Sequence, residues 1–319
     1  MKQAQHGAKS YDVDDSPAPA TSGPTVVSID EHQAQLLGLL KWAGGKATLS
    51  RILIPIIRSR RPARFIEPFA GGAAIFFRLD SPSAILGDRN EHLMRFYLAV
   101  KKNPKRVAAT LDDIRLAARS IHGPAFSIFY YEMREQFPRP ELFEHAALFL
   151  FLNRHCWNGL YRENGQGKFN TPIGSYESLQ PMPELDQLTE ASRRLQQATL
   201  RVGDFAETLS MVQPGDLVYM DPPYIPVSSS SRFSHYQGQA FSWRDHVRLK
   251  RLLYEMQERG IDFILSNSYQ KLTQAFYSDF HQYTTSSMGT INSRVRLRQP
   301  RKELLVTSFV SRSLEAQHA

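Results

Sequence analysis

The residues best suited to chemistry in this chain are Asp221-Pro222-Pro223-Tyr224, which follow the apolar run 217–220. A short apolar run of this kind is typical of a buried strand. The two prolines end that strand and remove two N–H donors, so the backbone offers only carbonyl oxygens there. A carboxylate, a bare carbonyl and a ring face suit a planar group with an exocyclic amine, stacked on Tyr224 and bonded to Asp221. The same four residues are equally compatible with a proline-rich turn.

Two glycine pairs precede runs with a helical pattern. The first lies in Lys41-Trp42-Ala43-Gly44-Gly45-Lys46, where a tight turn before a helix favours an anionic group or is simply a turn. The second lies in Glu67-Pro68-Phe69-Ala70-Gly71-Gly72, between a predicted strand at 64–66 and a predicted helix at 73–79. Strand, glycine turn and helix form the nucleotide-binding opening of a doubly wound sheet, although the spaced third glycine of the dinucleotide pattern is absent.

Asp88 ends a predicted strand at 84–87 and lies 17 positions after Gly71. At this place a doubly wound fold offers a carboxylate to the hydroxyls of a ribose. The alternative is that Asp88 caps the helix predicted from residue 91. Together with the glycine turn, the pattern favours the ligand role.

The loop 153–176 interleaves Asn, Arg, Gln, Lys and aromatic residues with glycines. Arg and Asn make bidentate contacts to base edges and aromatic rings stack on bases, so the loop suits DNA reading. The alternative is a hairpin with Trp157 and Phe169 as a small core. Near a predicted last strand at 304–309 there is a basic run, which suits phosphate contacts beside such a loop or is a solvated face. Its members are Arg294, Arg296, Arg298, Arg301 and Lys302.

Composition narrows the classes of protein. The 319 residues carry a formal charge of +8, while residues 1–33 are net acidic, so the basic excess lies in the remainder and suits a polyanionic partner. Cys156 is the only cysteine, which excludes an internal disulfide and a cysteine-based zinc site and fits a reducing compartment. Without a secretory segment or an apolar run long enough for a bilayer, we expect a soluble, cytoplasmic protein that does not bind membranes.

Strand and helix patterns alternate before residue 90 and after residue 183, which is typical of an α/β protein with a doubly wound sheet. The further strands are predicted at 199–202, 217–220 and 262–266, and the further helices at 49–57, 184–197 and 243–258. Between the two parts, helical patterns at 91–101, 104–120 and 141–153 indicate an inserted, mainly α-helical region. Residues 1–33 lack apolar periodicity and are predicted to be disordered. The polar segment 228–232 is expected to close over a substrate.

In their order and approximate spacing, these motifs resemble those of the Dam-type DNA adenine-N6 methyltransferases, from about residue 36 to residue 310. The resemblance implies a Rossmann-like methyltransferase core with a mostly parallel sheet at 34–90 and 184–312. It places an inserted, mainly α-helical target-recognition domain at 91–183, between an extension at 1–33 and a tail at 313–319. It implies S-adenosylmethionine as the cofactor, no metal, and double-stranded DNA as the partner. We expect a monomer.

The resemblance also assigns roles by position. Asp88 would hold the ribose hydroxyls, and Asp204 and Phe205 would bracket the cofactor adenine. Asp221 and the Pro222 carbonyl would take the N6 hydrogens of a flipped adenine, while Tyr224 stacks on it. The residues that would line the cofactor site are Trp42, Lys46, Glu67, Phe69, Gly71, Asp88, Asp204, Phe205 and Asp221.

For the recognition loop, the resemblance assigns Trp157 and Asn158 to the gap left by the extruded base. The residues that would read the flanking pairs, with GATC as the expected target, are Lys41, Leu160, Arg162, Pro172 and Tyr176. Ser175, Gln166 and Lys168 depart from the family's pattern in this loop.

Three other functions fit parts of the sequence. Cytosine-N4 methyltransferases more often have Ser in place of Asp221, and protein-glutamine methyltransferases usually have Asn there. A catalytically silent DNA-binding protein is the third alternative, and intact Asp221 and Tyr224 argue against it.

Overall fold

The computed structural model describes residues 38–42, 46–79, 83–225, 241–288 and 300–315. Several predictions fall outside these ranges: those for residues 1–33, for the Gly44-Gly45 turn and for the segment 228–232. The side chains of Arg294, Arg296, Arg298 and Arg301 are likewise outside the described part of the chain.

Seven strands form one sheet in the order β3-β2-β1-β4-β5-β7-β6. The five strands from β3 to β5 in this order are parallel to one another, and β7 is antiparallel to both β5 and β6. The strands are β1 Phe65–Glu67, β2 Ala84–Asp88, β3 Ala198–Val202, β4 Leu217–Met220, β5 Asp262–Ser268, β6 His281–Met288 and β7 Pro300–Thr307.

Ten α-helices connect and cover these strands in the described ranges. They are α1 Ala47–Arg60, α2 Glu91–Lys102, α3 Pro104–Ala118, α4 Pro124–Glu135, α5 Leu142–His155, α6 Leu185–Leu195, α7 Phe205–Leu209, α8 Trp243–Glu258, α9 Lys271–Phe276 and α10 Arg312–Glu315. Two short 3-10 helices add Phe76–Arg78 and Trp157–Gly159. None of the described helices is both long and apolar enough to cross a membrane.

The sheet is covered on both faces, because successive strand residues point to opposite sides. Phe65 lies in a buried cluster with Leu53 of α1, and its neighbour Ile66 lies in a second cluster with Leu253 of α8. Such a sheet is buried on both faces and reads as nearly continuous apolar runs. The α/β class predicted from the alternating pattern is confirmed.

The chain runs from β1 to β2 and β3 on one side of the sheet, and later to β4 and β5 on the other. The strand order therefore reverses between β1 and β4. In open α/β sheets, ligands bind in the crevice outside the carboxyl ends of the strands at such a switch point. The segments that follow β1 and β4 begin at Pro68 and Asp221, so both motifs meet at this crevice.

Most predicted strands and helices are confirmed. The helix predicted at 73–79 is wrong: only the 3-10 turn Phe76–Arg78 forms there, and Ala73 has a φ of 48°, which an α-helix does not allow. Strand β6 and helices α4, α7, α9 and α10 were not predicted from the sequence.

Helices α2 to α5 make a continuous hydrophobic core with the sheet. Helix α2 packs against β2, β3 and α5, while α3 packs against α5 and α6. Their buried aromatic side chains include Phe96, Tyr97, Phe126 and Phe151. The division into a core and a recognition domain at residues 91 and 183 stays a prediction.

His155 ends α5 as a fully buried side chain. Its Nδ1 lies 2.7 Å from the Phe151 carbonyl oxygen and its Nε2 accepts the Gln180 N–H at 2.8 Å. Nδ1 therefore carries the proton, and a second proton on Nε2 would point at an N–H group. Burial is the largest cause that lowers the pKa of His155 from 6.5 to about 4.

We predict that His155→Gln makes the free energy of unfolding less dependent on pH between about 6.5 and about 4. In this window the unfolded chain takes up a proton that native His155 does not, so stability is lost as the pH falls. As the pH falls through this window, the free energy of unfolding should decrease by about 3 kcal/mol more in the wild type than in the variant. Denaturant titrations at several pH values would measure both decreases. The exposed His122→Gln is the control, and an equal slope in wild type and His155→Gln would contradict the prediction.

Candidate active site

Asp221 follows β4 directly and is held by two side chains from other segments. Its Oδ1 accepts a hydrogen bond from Ser266 Oγ of β5 at 2.8 Å and lies 3.1 Å from Lys46 Nζ. Ser266 is fully buried and is itself 3.2 Å from the hydroxyl of buried Tyr219. The Asp221 side chain keeps 22% of its surface exposed. The carboxylate is therefore fixed but open to a ligand.

Tyr224 joins the same network through its hydroxyl, which accepts from Lys46 Nζ at 2.8 Å and donates to Glu303 Oε2 at 3.2 Å. The Lys46 ammonium also lies 4.8 Å from the centroid of the Tyr224 ring and 3.8 Å from Glu303 Oε2. Lys46 precedes α1 and Glu303 lies on β7. One buried ammonium thus joins the carboxylate and the phenol that follow β4 to a carboxylate of β7.

Burial dominates the ionisation of this network. It raises the pKa of Asp221, against which the Lys46 charge and the Ser266 hydrogen bond lower it and the Glu303 charge raises it. Burial also raises the pKa of Tyr224, and the charges of Asp221 and Glu303 raise it further. Tyr224 therefore keeps its proton and acts as a hydrogen-bond donor.

Glu67 ends β1 as a buried carboxyl group beside this network. The Phe76 N–H bonds to its carboxyl group, while Oε2 has no hydrogen-bond partner among the described residues. Burial raises the pKa of Glu67 well above its usual value, and the Asp221 charge adds to this effect. An unpaired buried oxygen is costly, which marks this place as one where a polar ligand group fits.

Asp88 uses both carboxylate oxygens on backbone N–H groups at the carboxyl end of β2. Oδ2 accepts from Gly71 and Oδ1 accepts from Asn90, each at 2.9 Å. Helix α2 is capped instead by Asn90, whose side chain accepts the Leu93 N–H at 3.0 Å. The alternative that Asp88 is the helix cap is therefore wrong. Burial raises the pKa of Asp88, and these backbone hydrogen bonds lower it.

Gly71 is fixed on three sides. Asp88 binds its N–H group, Tyr97 donates to its carbonyl oxygen at 2.7 Å, and Trp42 covers its Cα. A Cβ at Gly71 would lie 2.8 Å from Trp42 Nε1, and the φ of Gly71 is 46°. Only glycine satisfies both conditions without strain.

Phe69 after β1 and Phe205 after β3 stack on each other with ring centroids 5.3 Å apart. Asp204 begins α7 and caps it by accepting the Ala206 N–H at 3.0 Å. Arg248 of α8 binds the Asp204 carboxylate at 2.8 Å and places its guanidinium 4.9 Å from the Phe205 centroid. The predicted cofactor residues that follow β1 and β3 thus come together.

Two predicted DNA contacts, Lys41 and Tyr176, touch each other. Lys41 Nζ donates to the Tyr176 hydroxyl at 3.1 Å and to the Arg154 carbonyl at 3.0 Å. The Lys41 backbone is bound on both sides by the Asn153 amide, at 2.8 Å and 2.7 Å. Gly159 packs so closely on Lys41 that a Cβ there would lie 2.6 Å from the Lys41 carbonyl oxygen. Lys41 therefore packs against the loop 153–176 in space.

The other predicted DNA contacts are on the surface of the same loop. Trp157 and Leu160 are 45% and 40% exposed, and the Trp157 N–H donates to the Pro172 carbonyl at 2.9 Å. Asn158 is exposed and has a φ of 54°. Arg162 is exposed, and its Nε donates to Asn170 Oδ1 at 3.0 Å.

The alternative that the loop is a hairpin with its own core is only partly right. Glu163 and Phe169 form an isolated bridge around a tight turn, and Phe169 is buried. Trp157 is exposed and takes no part in such a core.

Sequence reasoning missed Ser266, Glu303 and Arg248. Ser266 lies inside a buried strand and Glu303 directly precedes an apolar run. A polar residue in such a run is a signal for a partner or a site. The partner of Glu303 can be identified only from the order of the strands, which places β7 beside β5. Arg248 is one of several basic residues of an amphipathic helix and carries no such signal.

Comparison with known proteins matches residues 42–291 to a family described as D12 class N6 adenine-specific DNA methyltransferase. The chain is 31% identical to the type II methyltransferase M1.LlaDCHI of Lactococcus lactis subsp. cremoris, over 88% of this chain and 98% of the relative. It is 35% identical to a DNA adenine methylase of Serratia marcescens, over 83% and 96% of the two chains. It is also 35% identical to the type II methyltransferase M.MjaIII of Methanocaldococcus jannaschii, over 72% and 83%.

We predict that Gly71→Ala lowers the free energy of unfolding by about 1–3 kcal/mol, because the added methyl group meets the Trp42 ring and the backbone must keep a positive φ. Chemical denaturation measures the change. Gly165→Ala is the matched control, since nothing lies within 4 Å of a Cβ at Gly165. In the background of Trp42→Ala, the Gly71→Ala substitution should cost less. An equal cost in both backgrounds would show that the Trp42 contact is not the reason.

Proposed function

Because the chain belongs to the D12 class of N6 adenine-specific DNA methyltransferases, we propose that its target is GATC and that it methylates an adenine extruded from the duplex. Membership of this family makes it a DNA-adenine methyltransferase that uses S-adenosylmethionine. The cytosine, glutamine and silent-protein alternatives lose their support with that assignment.

The observation that carries the proposal is the position of Asp221 and Tyr224. They follow β4 at the switch point of the sheet, where the carboxylate is fixed by Ser266 and Lys46 but remains partly exposed. A base inside a duplex cannot bring its N6 atom to a carboxylate in a crevice. We therefore expect the adenine to leave the stack, with its amine on Asp221 and the Pro222 carbonyl and its ring against Tyr224.

The residues across the crevice fit the proposed cofactor. S-adenosylmethionine has ribose hydroxyls, an adenine ring and two positive charges, and it supplies the methyl group. Asp88 presents a carboxylate whose oxygens accept backbone N–H groups and retain lone pairs for hydroxyls. Phe205 follows Asp204 with its ring stacked on Phe69, and the unpaired Oε2 of Glu67 offers an acceptor to a cationic group. Trp42, Lys46, Phe69 and Gly71 complete the lining.

Asp221 contributes to methyl transfer through electrostatic stabilisation. During methyl transfer, N6 gains a carbon, becomes positively charged and then loses one proton. A carboxylate hydrogen-bonded to that amine orients its lone pair and stabilises the developing charge. Ser266 and Lys46 hold the carboxylate in place before the reaction, so no reorganisation is needed. A strong base is unnecessary, since the methyl group leaves a sulfonium.

For recognition, the exposed residues of the loop are proposed to meet DNA. Trp157 and Asn158 would occupy the gap left by the adenine, and Leu160, Arg162 and Pro172 would contact the flanking pairs. Lys41 and Tyr176 bond to each other, so we propose that they read the flanking pairs as one unit. That the enzyme acts as a monomer stays a prediction.

The test combines target and mechanism. The protein should transfer label from S-adenosylmethionine to a GATC duplex and give N6-methyladenine, with little transfer when a flanking base pair of the site is changed. Asp221→Ala should lower the single-turnover rate by a factor of about 100–1,000 or more and leave DNA binding largely intact. The control is Asp113→Ala, since Asp113 is an exposed residue of α3.

Either half of the proposal is open to refutation. Equal transfer to duplexes with and without GATC would contradict the proposed target. Full activity of Asp221→Ala would contradict the proposed role of the carboxylate.

A further inference from the structure

Glu303 is a second carboxylate in the site that no motif had indicated. It lies on β7, where it pairs in register with Ser268 of β5 on one side and Thr285 of β6 on the other. A strand bonded on both sides holds its side chains rigidly. The Glu303 side chain is 14% exposed, accepts the Tyr224 hydroxyl at 3.2 Å and lies 3.8 Å from Lys46 Nζ.

We propose that Glu303 is a positioning residue for methyl transfer, which fixes Tyr224 and shares the Lys46 ammonium so that the site keeps a net negative charge toward the target amine. The proposal rests on the role proposed for Asp221. It adds a residue to the reaction that acts through its neighbours rather than by touching the base.

The first part of the proposal follows from charge. Lys46 places one positive charge 3.1 Å from Asp221 and 3.8 Å from Glu303, so the three groups together carry one negative charge. Without Glu303, the Lys46 and Asp221 charges would cancel. Because these groups are largely buried, their interactions are only weakly screened. The positive charge that develops on N6 would then meet a neutral pair instead of a net negative site.

The second part follows from the geometry of Tyr224. Its hydroxyl accepts a hydrogen bond from Lys46 and donates one to Glu303. These two hydrogen bonds and the Lys46 ammonium beside the ring hold the ring in place. A ring that stacks on an incoming base positions that base best when the orientation of the ring is already fixed. Glu303 supplies an acceptor for this hydroxyl proton.

The Glu303 charge also changes the pKa values of neighbouring groups. The titratable groups that face this cluster are Lys46, Glu67, Asp221, Tyr219 and Tyr224. The Glu303 charge raises the pKa of Asp221 and of Tyr224. If the ionised form of Asp221 is required, the rate falls as the pH falls through that pKa. Removing the Glu303 charge therefore moves this acid limb to lower pH.

The test uses Glu303→Gln in the full chain, which keeps an oxygen acceptor for Tyr224 and removes only the charge. In single turnover with labelled S-adenosylmethionine and a GATC duplex, we expect the rate at its plateau to fall about tenfold. The acid limb should move by about one unit to lower pH, as expected for loss of one nearby charge. The affinity for the cofactor alone should change less than the rate. The Glu303 charge acts on the positive charge that develops on N6 beside Asp221, and this charge is present only during methyl transfer.

Glu258→Gln is the matched control for net charge. Glu258 is exposed at the end of α8, four positions before β5 begins, and so lies at the amino edge of the sheet, opposite the site. This variant should keep the wild-type rate and acid limb. Glu303→Asp keeps the charge on a shorter side chain, so its acid limb should stay at the wild-type pH. It also serves if Glu303→Gln does not fold.

A wild-type rate and acid limb in Glu303→Gln would overturn the proposal. So would a lower rate with an unmoved acid limb, which indicates a structural role only, or an acid limb in Glu303→Asp that moves as far as in Glu303→Gln. Failure of this proposal is distinguishable from failure of the proposed function. An active Asp221→Ala refutes the function, whereas an inactive Asp221→Ala beside a wild-type-like Glu303→Gln refutes only the role of Glu303.

Discussion

The structure depends on one buried ammonium. Lys46 lies in a site with Asp221 and Tyr224, which follow β4, and with Glu303 of β7. A buried charge is stable only with partners, and loss of one partner is costly. The ammonium therefore requires that α1, the end of β4 and β7 be placed together. The strand order meets this requirement, because β5 and β7 follow β4 on one side of the switch point.

The same segment of chain connects the two ligand sites. Trp42 covers Gly71 in the proposed cofactor site, while its neighbour Lys41 is bound by Asn153 and packs on Gly159 of the recognition loop. The Trp42 ring is also stacked on Tyr161 of that loop, with centroids 6.4 Å apart. The family assignment gives these contacts a purpose, since a methyltransferase must hold its cofactor and its DNA in one fixed relation.

Sequence reasoning reached the main strands, the α/β class and the two motifs that meet at the crevice, because apolar runs and turn residues are local signals. It placed a helix at 73–79, where the positive φ of Ala73 and the bonds around Gly71 override the pattern. It missed β6 and the roles of Ser266 and Glu303. A single polar residue in a strand shows that a partner exists, but only the order of the strands decides which one. The contacts of the proposed DNA-reading residues with bases cannot be predicted from the sequence of the protein, because they also depend on the duplex.

The most direct test of the account is a crystal structure of the protein with S-adenosylhomocysteine and a GATC duplex. The account predicts an adenine outside the duplex, with N6 at about 2.7–3.2 Å from an Asp221 oxygen and its ring against Tyr224. Asp221 should keep its contacts with Ser266 and Lys46. An adenine that remains stacked in the duplex, or an extruded base whose amine lies away from Asp221, would contradict it.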